Sequence, residues 1–153
     1  MAGILAHGVT AEIALTASTT KTLIQLVAAA NHRIKVTSFG IFCKGVASTD
    51  NPVLVQVARQ TTAGTMSALT CVKNNSADDE TLQTTAQHTA TVEPTLGDVL
   101  YSAEVHPQSG WEVLLPYGQE IIVPGGGRVA IKATPGAYPA AGLTVVAQLT
   151  FEE

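Results

Sequence analysis

Leu143-Thr144-Val145-Val146-Ala147-Gln148-Leu149-Thr150-Phe151 is the stretch that decides the fold class. Leu143, Val145, Ala147, Leu149 and Phe151 recur at every second position, with Thr144, Gln148 and Thr150 opposite them. A period of two places the apolar set on one face of an extended strand and the polar set on the other. Working outward, Val129, Ile131 and Ala133 alternate with Arg128, Lys132 and Thr134. Val99, Tyr101, Ala103 and Val105 alternate with Asp98, Ser102, Glu104 and His106, and Val53, Val55 and Val57 point one way. Trp111, Val113 and Leu115 form a shorter set. Each pattern reads as a strand with one buried face.

Two stretches read differently. From Arg33 to Cys43, Ile34, Val36 and Phe42 fall on one face and Phe39, Ile41 and Cys43 on the other. A strand apolar on both faces is expected at the centre of a sheet or at an interface, and Gly40 within it marks a bulge or a close backbone approach. Ser18 to Ala30 fits a helix, with Ser18 as N-cap and Leu23, Leu26, Val27 and Ala30 on one helical face. The strand reading of Leu23-Ile24-Gln25-Leu26-Val27 is preferred, because its neighbours are strands.

Turn signals divide these runs: Asp50-Asn51-Pro52, Ala63-Gly64, Asn74-Asn75-Ser76, Pro94 to Gly97, Pro107 to Gly110, Pro116 to Gly118, Pro124 to Gly127 and Pro135-Gly136. Short strands punctuated at this spacing predict an all-β fold, an antiparallel β-sandwich of jelly-roll type. The chain's 153 residues suit one domain.

Composition narrows the function. Charged residues make up 13% of the chain, about half the ordinary share. Threonines cluster at Thr19, Thr20 and Thr22, at Thr61, Thr62 and Thr65, and at Thr84, Thr85, Thr89 and Thr91. So few charges cannot cover a monomer densely, which implies that much of the surface meets copies of itself or a larger assembly. A net charge of −4 without a basic stripe argues against nucleic-acid binding. No apolar run reaches membrane-span length, and the N-terminus does not read as a signal peptide, so cytoplasmic synthesis is expected.

Catalytic chemistry is hard to assemble. His7, His32, His88 and His106 show no metal-ligand spacing, and the His-x-His of metal-binding cupins is missing. Ser109-Gly110 is not a nucleophile elbow. Cys43 and Cys71 lack an electropositive setting and read as small hydrophobes, with a single bridge between them left open. Asp78-Asp79-Glu80 reads as a solvated loop before it reads as a Ca²⁺ site, and Gly125-Gly126-Gly127 as a tight β-turn before a phosphate cradle. No enzyme activity and no metal or other cofactor is expected. Trp111, Tyr117 and Tyr138 lie at or near turns and fit a cap on one end of the core as well as an interface; with Phe39 and Ile41 of the two-faced strand they are the candidate interface residues.

Three passages carry a family resemblance: Ala30-Asn31-His32-Arg33-Ile34-Lys35-Val36, the run from Gly118 through Pro124-Gly125-Gly126-Gly127 to Lys132, and the ending Leu143 to Glu153. Together they resemble the small jelly-roll capsid decoration, or cement, proteins of tailed bacteriophages. The resemblance spans roughly residues 20 to 153. It implies a single β-sandwich domain over 21–153; residues 1–20 lie outside the resemblance and are expected to form a partly extended N-terminal arm that reaches a neighbouring subunit and orders on contact. The resemblance further implies a homotrimer on the outside of the virion head, bound to the major capsid protein and made in the host cytoplasm. The family has no catalytic residues to transfer. The competing expectation is the receptor- or carbohydrate-binding jelly-roll head of a phage tail or fibre, against which the lack of a repetitive shaft segment counts. A small enzyme on a β-sandwich scaffold is the third and least favoured.

Overall fold

The computed structural model describes residues 3–45, 51–137 and 142–153, and its regular elements are all strands. In chain order these are β1 (Leu5–Val9), β2 (Ile13–Ala14), β3 (Lys21–Val27), β4 (Ile34–Lys44), β5 (Val53–Gln60), β6 (Thr65–Leu69) and β7 (Val72–Lys73). They continue as β8 (Thr85–Val92), β9 (Leu96–Val105), β10 (Gly110–Leu114), β11 (Ile121–Val123), β12 (Arg128–Pro135) and β13 (Thr144–Glu152). A seven-stranded sheet has the order β10-β4-β13-β1-β7, with β11 also on β4 and β2 on β13. A six-stranded sheet has the order β6-β8-β3-β12-β5-β9. The two antiparallel sheets pack face to face as a β-sandwich.

The alternation in β13 holds along its length: Val145, Ala147, Leu149 and Phe151 are buried and the residues between them are partly exposed. Across the interior they face a layer that includes Ile24, Leu26, Val55, Val57 and Ile131. Each such side chain, fully buried, contributes about 1.5–3 kcal/mol relative to exposure. The segment open to a helical reading forms strand β3, buried at every residue from Thr22 to Leu26 because β8 and β12 flank it.

The two-faced pattern of β4 has a local cause. Against β13, Ser38 pairs with Thr150 and Val36 with Phe151, so Thr37 is an extra residue. This bulge changes the strand's parity. Ile34 and Val36 before it, and Phe39, Ile41 and Cys43 after it, therefore all point to the interior, while Phe42 turns outward. The bulge expected at Gly40 lies three residues earlier. Gly40 instead serves a close approach, since a Cβ there would lie 3.2 Å from both the Gln148 and Phe42 side chains. Parity also changes in β9: the register steps from Tyr101 to Val99, so Tyr101, Ala103 and Val105 keep the inward phase and Val99 faces out.

The N-terminal segment contributes strands of its own. Leu5–Val9 is built into the seven-stranded sheet between β13 and β7, from Leu5 opposite Glu152 to Val9 opposite Gln148. Ala6 is fully buried there, and Ile13 extends the same core. The small Ala6 and Gly8 are its inward residues, which is why the strand carries so little apolar signal.

Candidate interaction surface

The candidate interface residues separate into three environments. Phe39 and Ile41 are each 1% exposed and belong to the core, so they cannot form a contact surface. Trp111 is partly buried and meets Phe39 edge-on, with ring centroids 5.3 Å apart, and Tyr101 packs on Phe39 at 5.1 Å. These rings close the flank of the sandwich between β9 and β10. Tyr117 is 98% exposed. It stands at the apex of a turn closed by the Gln119 N–H donating to the Pro116 carbonyl at 2.9 Å. Gly118 takes φ +86° in that turn, which glycine permits, and its N–H donates to Glu120 Oε2 at 2.8 Å. Tyr138 lies outside the described residues.

Sequence reasoning missed the outer face of the seven-stranded sheet. Of the ten large apolar side chains exposed among the described residues, six lie on it: Leu5, Val9, Phe42, Val72, Leu114 and Ile122. They occupy the margins. One cross-strand row runs Leu5, Glu152, Lys35, Ile122, and the next Val72, His7, Thr150, Ser38, Leu114. The middle is polar but internally matched: Lys35 pairs with Glu152 at 3.7 Å, and Gln148 Nε2 donates to Glu112 Oε1 at 3.0 Å across Gly40. At one end Lys44 pairs with Glu12 at 2.9 Å, which holds the Glu12 carboxyl below its ordinary pKa. Such a face has little unpaired charge to desolvate on docking. The sequence did carry a signal, because in Leu114-Leu115 and Ile121-Ile122-Val123 neighbouring apolar residues cannot all face inward.

The outer face of the six-stranded sheet is different. Its Thr22, Gln25, Ala58, Gln60 and Ala130 are buried. The chain covers them itself with the connections at Thr62 and Glu93, after β8 departs from β3 near Thr89 at φ +54°. Both Glu93 carboxylate oxygens accept from the Thr22 N–H, at 2.9 and 3.0 Å, and one also accepts from the Thr22 hydroxyl at 2.6 Å. Gln60 Nε2 donates to Thr22 Oγ1 at 3.0 Å, and Gln25 Nε2 donates to Gln60 Oε1 and the Thr62 carbonyl.

The remaining motifs are absorbed structurally. Cys43 and Cys71 are free, and partial burial pushes each thiol up to about 11. Lys73 Nζ donates to the carbonyls of Asp78 and Glu80, and Asp78 Oδ1 accepts from the Glu80 N–H, so the acidic loop is organised around a lysine ammonium. The triple glycine closes a turn, with the Gly127 N–H donating to the Pro124 carbonyl at 2.8 Å. Any Cβ on Gly125 would strike the Ala30 carbonyl. The histidines are dispersed: Nδ1 of His7 meets Asn74, that of His88 meets Thr89, that of His106 meets the Gln108 N–H, and that of His32 lies 3.5 Å from Glu153. The Ser109 hydroxyl donates to the His106 main-chain carbonyl. Among the described residues no group of three or more His, Cys, Asp or Glu side chains is placed to hold a metal ion. In comparisons with known proteins, no family model, curated protein or solved structure matches the chain.

Proposed function

We propose that this chain is a structural virion protein, a homotrimeric decoration protein that binds the outside of a tailed-phage capsid and staples neighbouring major capsid subunits. The observation that carries this reading is the outer face of the seven-stranded sheet, with its exposed apolar margins and internally matched polar centre. A monomer in water gains nothing from leaving six large apolar side chains on one face, whereas a docked subunit buries them. The low overall charge of 13% fits the same role. The jelly-roll part of the proposal is supported by the chain path. It alternates between the sheets from β3 to β4 to β5, and again from β9 through β10 and β11 to β12 and β13.

The test combines native mass with co-sedimentation on empty capsid shells. The proposal expects a trimer that pellets with shells and raises their resistance to heat. A monomer that ignores shells and binds polysaccharide would replace it with the receptor-binding reading, for which the exposed Tyr117 is the available sugar-stacking ring.

A further inference from the structure

Three buried polar atoms on the outer side of the six-stranded sheet have no hydrogen-bond partner among the described residues: Gln25 Oε1, Gln87 Oε1 and Arg128 Nε. They sit on adjacent strands. Gln25 of β3 is directly opposite Gln87 of β8 and, on its other side, opposite Ala130 of β12. Arg128 precedes Ala130 by two residues, so it shares that face and lies diagonal to Gln25. Gln25 itself is 0% exposed.

An unpartnered buried polar atom is costly, and structures rarely leave one so. Two acceptors and one donor form the complement of a water molecule, which donates twice and accepts from a third group. The orientation of Gln25 is also constrained. Its Nε2 faces two acceptors, Gln60 Oε1 and the Thr62 carbonyl, so turning the amide over would set oxygen against oxygen.

We propose that Gln25, Gln87 and Arg128 hold one buried water molecule, donating to the two glutamine oxygens and accepting from the arginine Nε. The water completes the network that ties the Thr62 connection to the sheet, and it fixes the Gln25 amide in the orientation that network needs. The proposal is independent of the capsid reading. It is tested on the intact chain by a crystal structure at about 1.2 Å, fine enough to separate the amide oxygen from nitrogen. The expected result is one ordered water at roughly 2.7–3.2 Å from each of Gln25 Oε1, Gln87 Oε1 and Arg128 Nε. A direct bond from the Gln87 amide nitrogen to Gln25 Oε1, or density with no such bridging water, would overturn it. In solution the same site predicts a water cross-peak to the Gln25 side-chain amide protons, and its loss in Gln87→Met.

Discussion

The two sheets of this protein treat their outer faces in opposite ways. The six-stranded sheet covers a polar patch of its outer face with its own connections, with Thr22, Gln25 and Gln60 buried in a hydrogen-bonded network under Thr62 and Glu93, while Leu96 and Val99 beside the patch are exposed. The seven-stranded sheet leaves the margins of its outer face bare, with Leu114 77% exposed and Phe42, Val9 and Leu5 each 40% or more exposed. The difference teaches where unmet surface remains. One side buries its polar patch within the chain, and the other is the face that the proposed docking would cover.

The change that breaks this contrast most completely is deletion of Thr37. It removes the bulge, so either Ile34 and Val36 or Phe39, Ile41 and Cys43 must point outward. The expected outcome is loss of the folded state, seen as loss of the native β-sheet circular dichroism signal. Next is Gln60→Leu, which leaves Gln25 Nε2 with the Thr62 carbonyl alone and takes a donor from Thr22 Oγ1. It should destabilise the fold by about 1–3 kcal/mol in urea titration while leaving association unchanged. The mirror experiment is Phe42→Asp with Leu114→Asp on the bare face. Stability should stay within about 0.5 kcal/mol, as usual for surface changes. Shell binding should weaken at least ~10-fold, or about 1.4 kcal/mol.

The smallest effect concerns the thiols. With each raised from 9.0 to about 11, Cys43 and Cys71 stay protonated at neutral pH. Alkylation at pH 8 should run roughly a hundredfold slower than in the unfolded chain, the thiolate fraction falling tenfold per pKa step. The linkage has a definite sign. The unfolded thiols ionise first, so this contribution to stability is intact below pH 9.0 and is lost as pH rises toward about 11. A stability–pH profile that rises over that window would contradict the partial burial of both thiols.

Much of the sandwich was legible because one-sided burial writes period two into the sequence. The runs at β5, β12 and β13 read correctly for that reason. What failed to read were departures from strict alternation. The extra residue Thr37 made a one-faced strand look two-faced, and the step beside Leu100 sent Val99 outward. Leu5–Val9 escaped notice because Ala6 and Gly8, its inward residues, are too small to mark a face. The contact surface was harder still. Low charge suggested that such a face should be looked for, but the residues proposed for it come from β1, β4, β7, β10 and β11, and only their pairing brings them together. Large aromatic residues were the natural guess, yet Phe39 was drawn into the core.

The central claim is that the bare face of the seven-stranded sheet is the one buried on docking. Hydroxyl-radical footprinting of the protein, free and bound to capsid shells, reads side-chain exposure directly. The account predicts that Leu5, Val9, Phe42 and Leu114 lose reactivity on binding, while Val92 beside the self-covered network does not. Unchanged reactivity at those four residues, with protection confined to the six-stranded sheet, would contradict it.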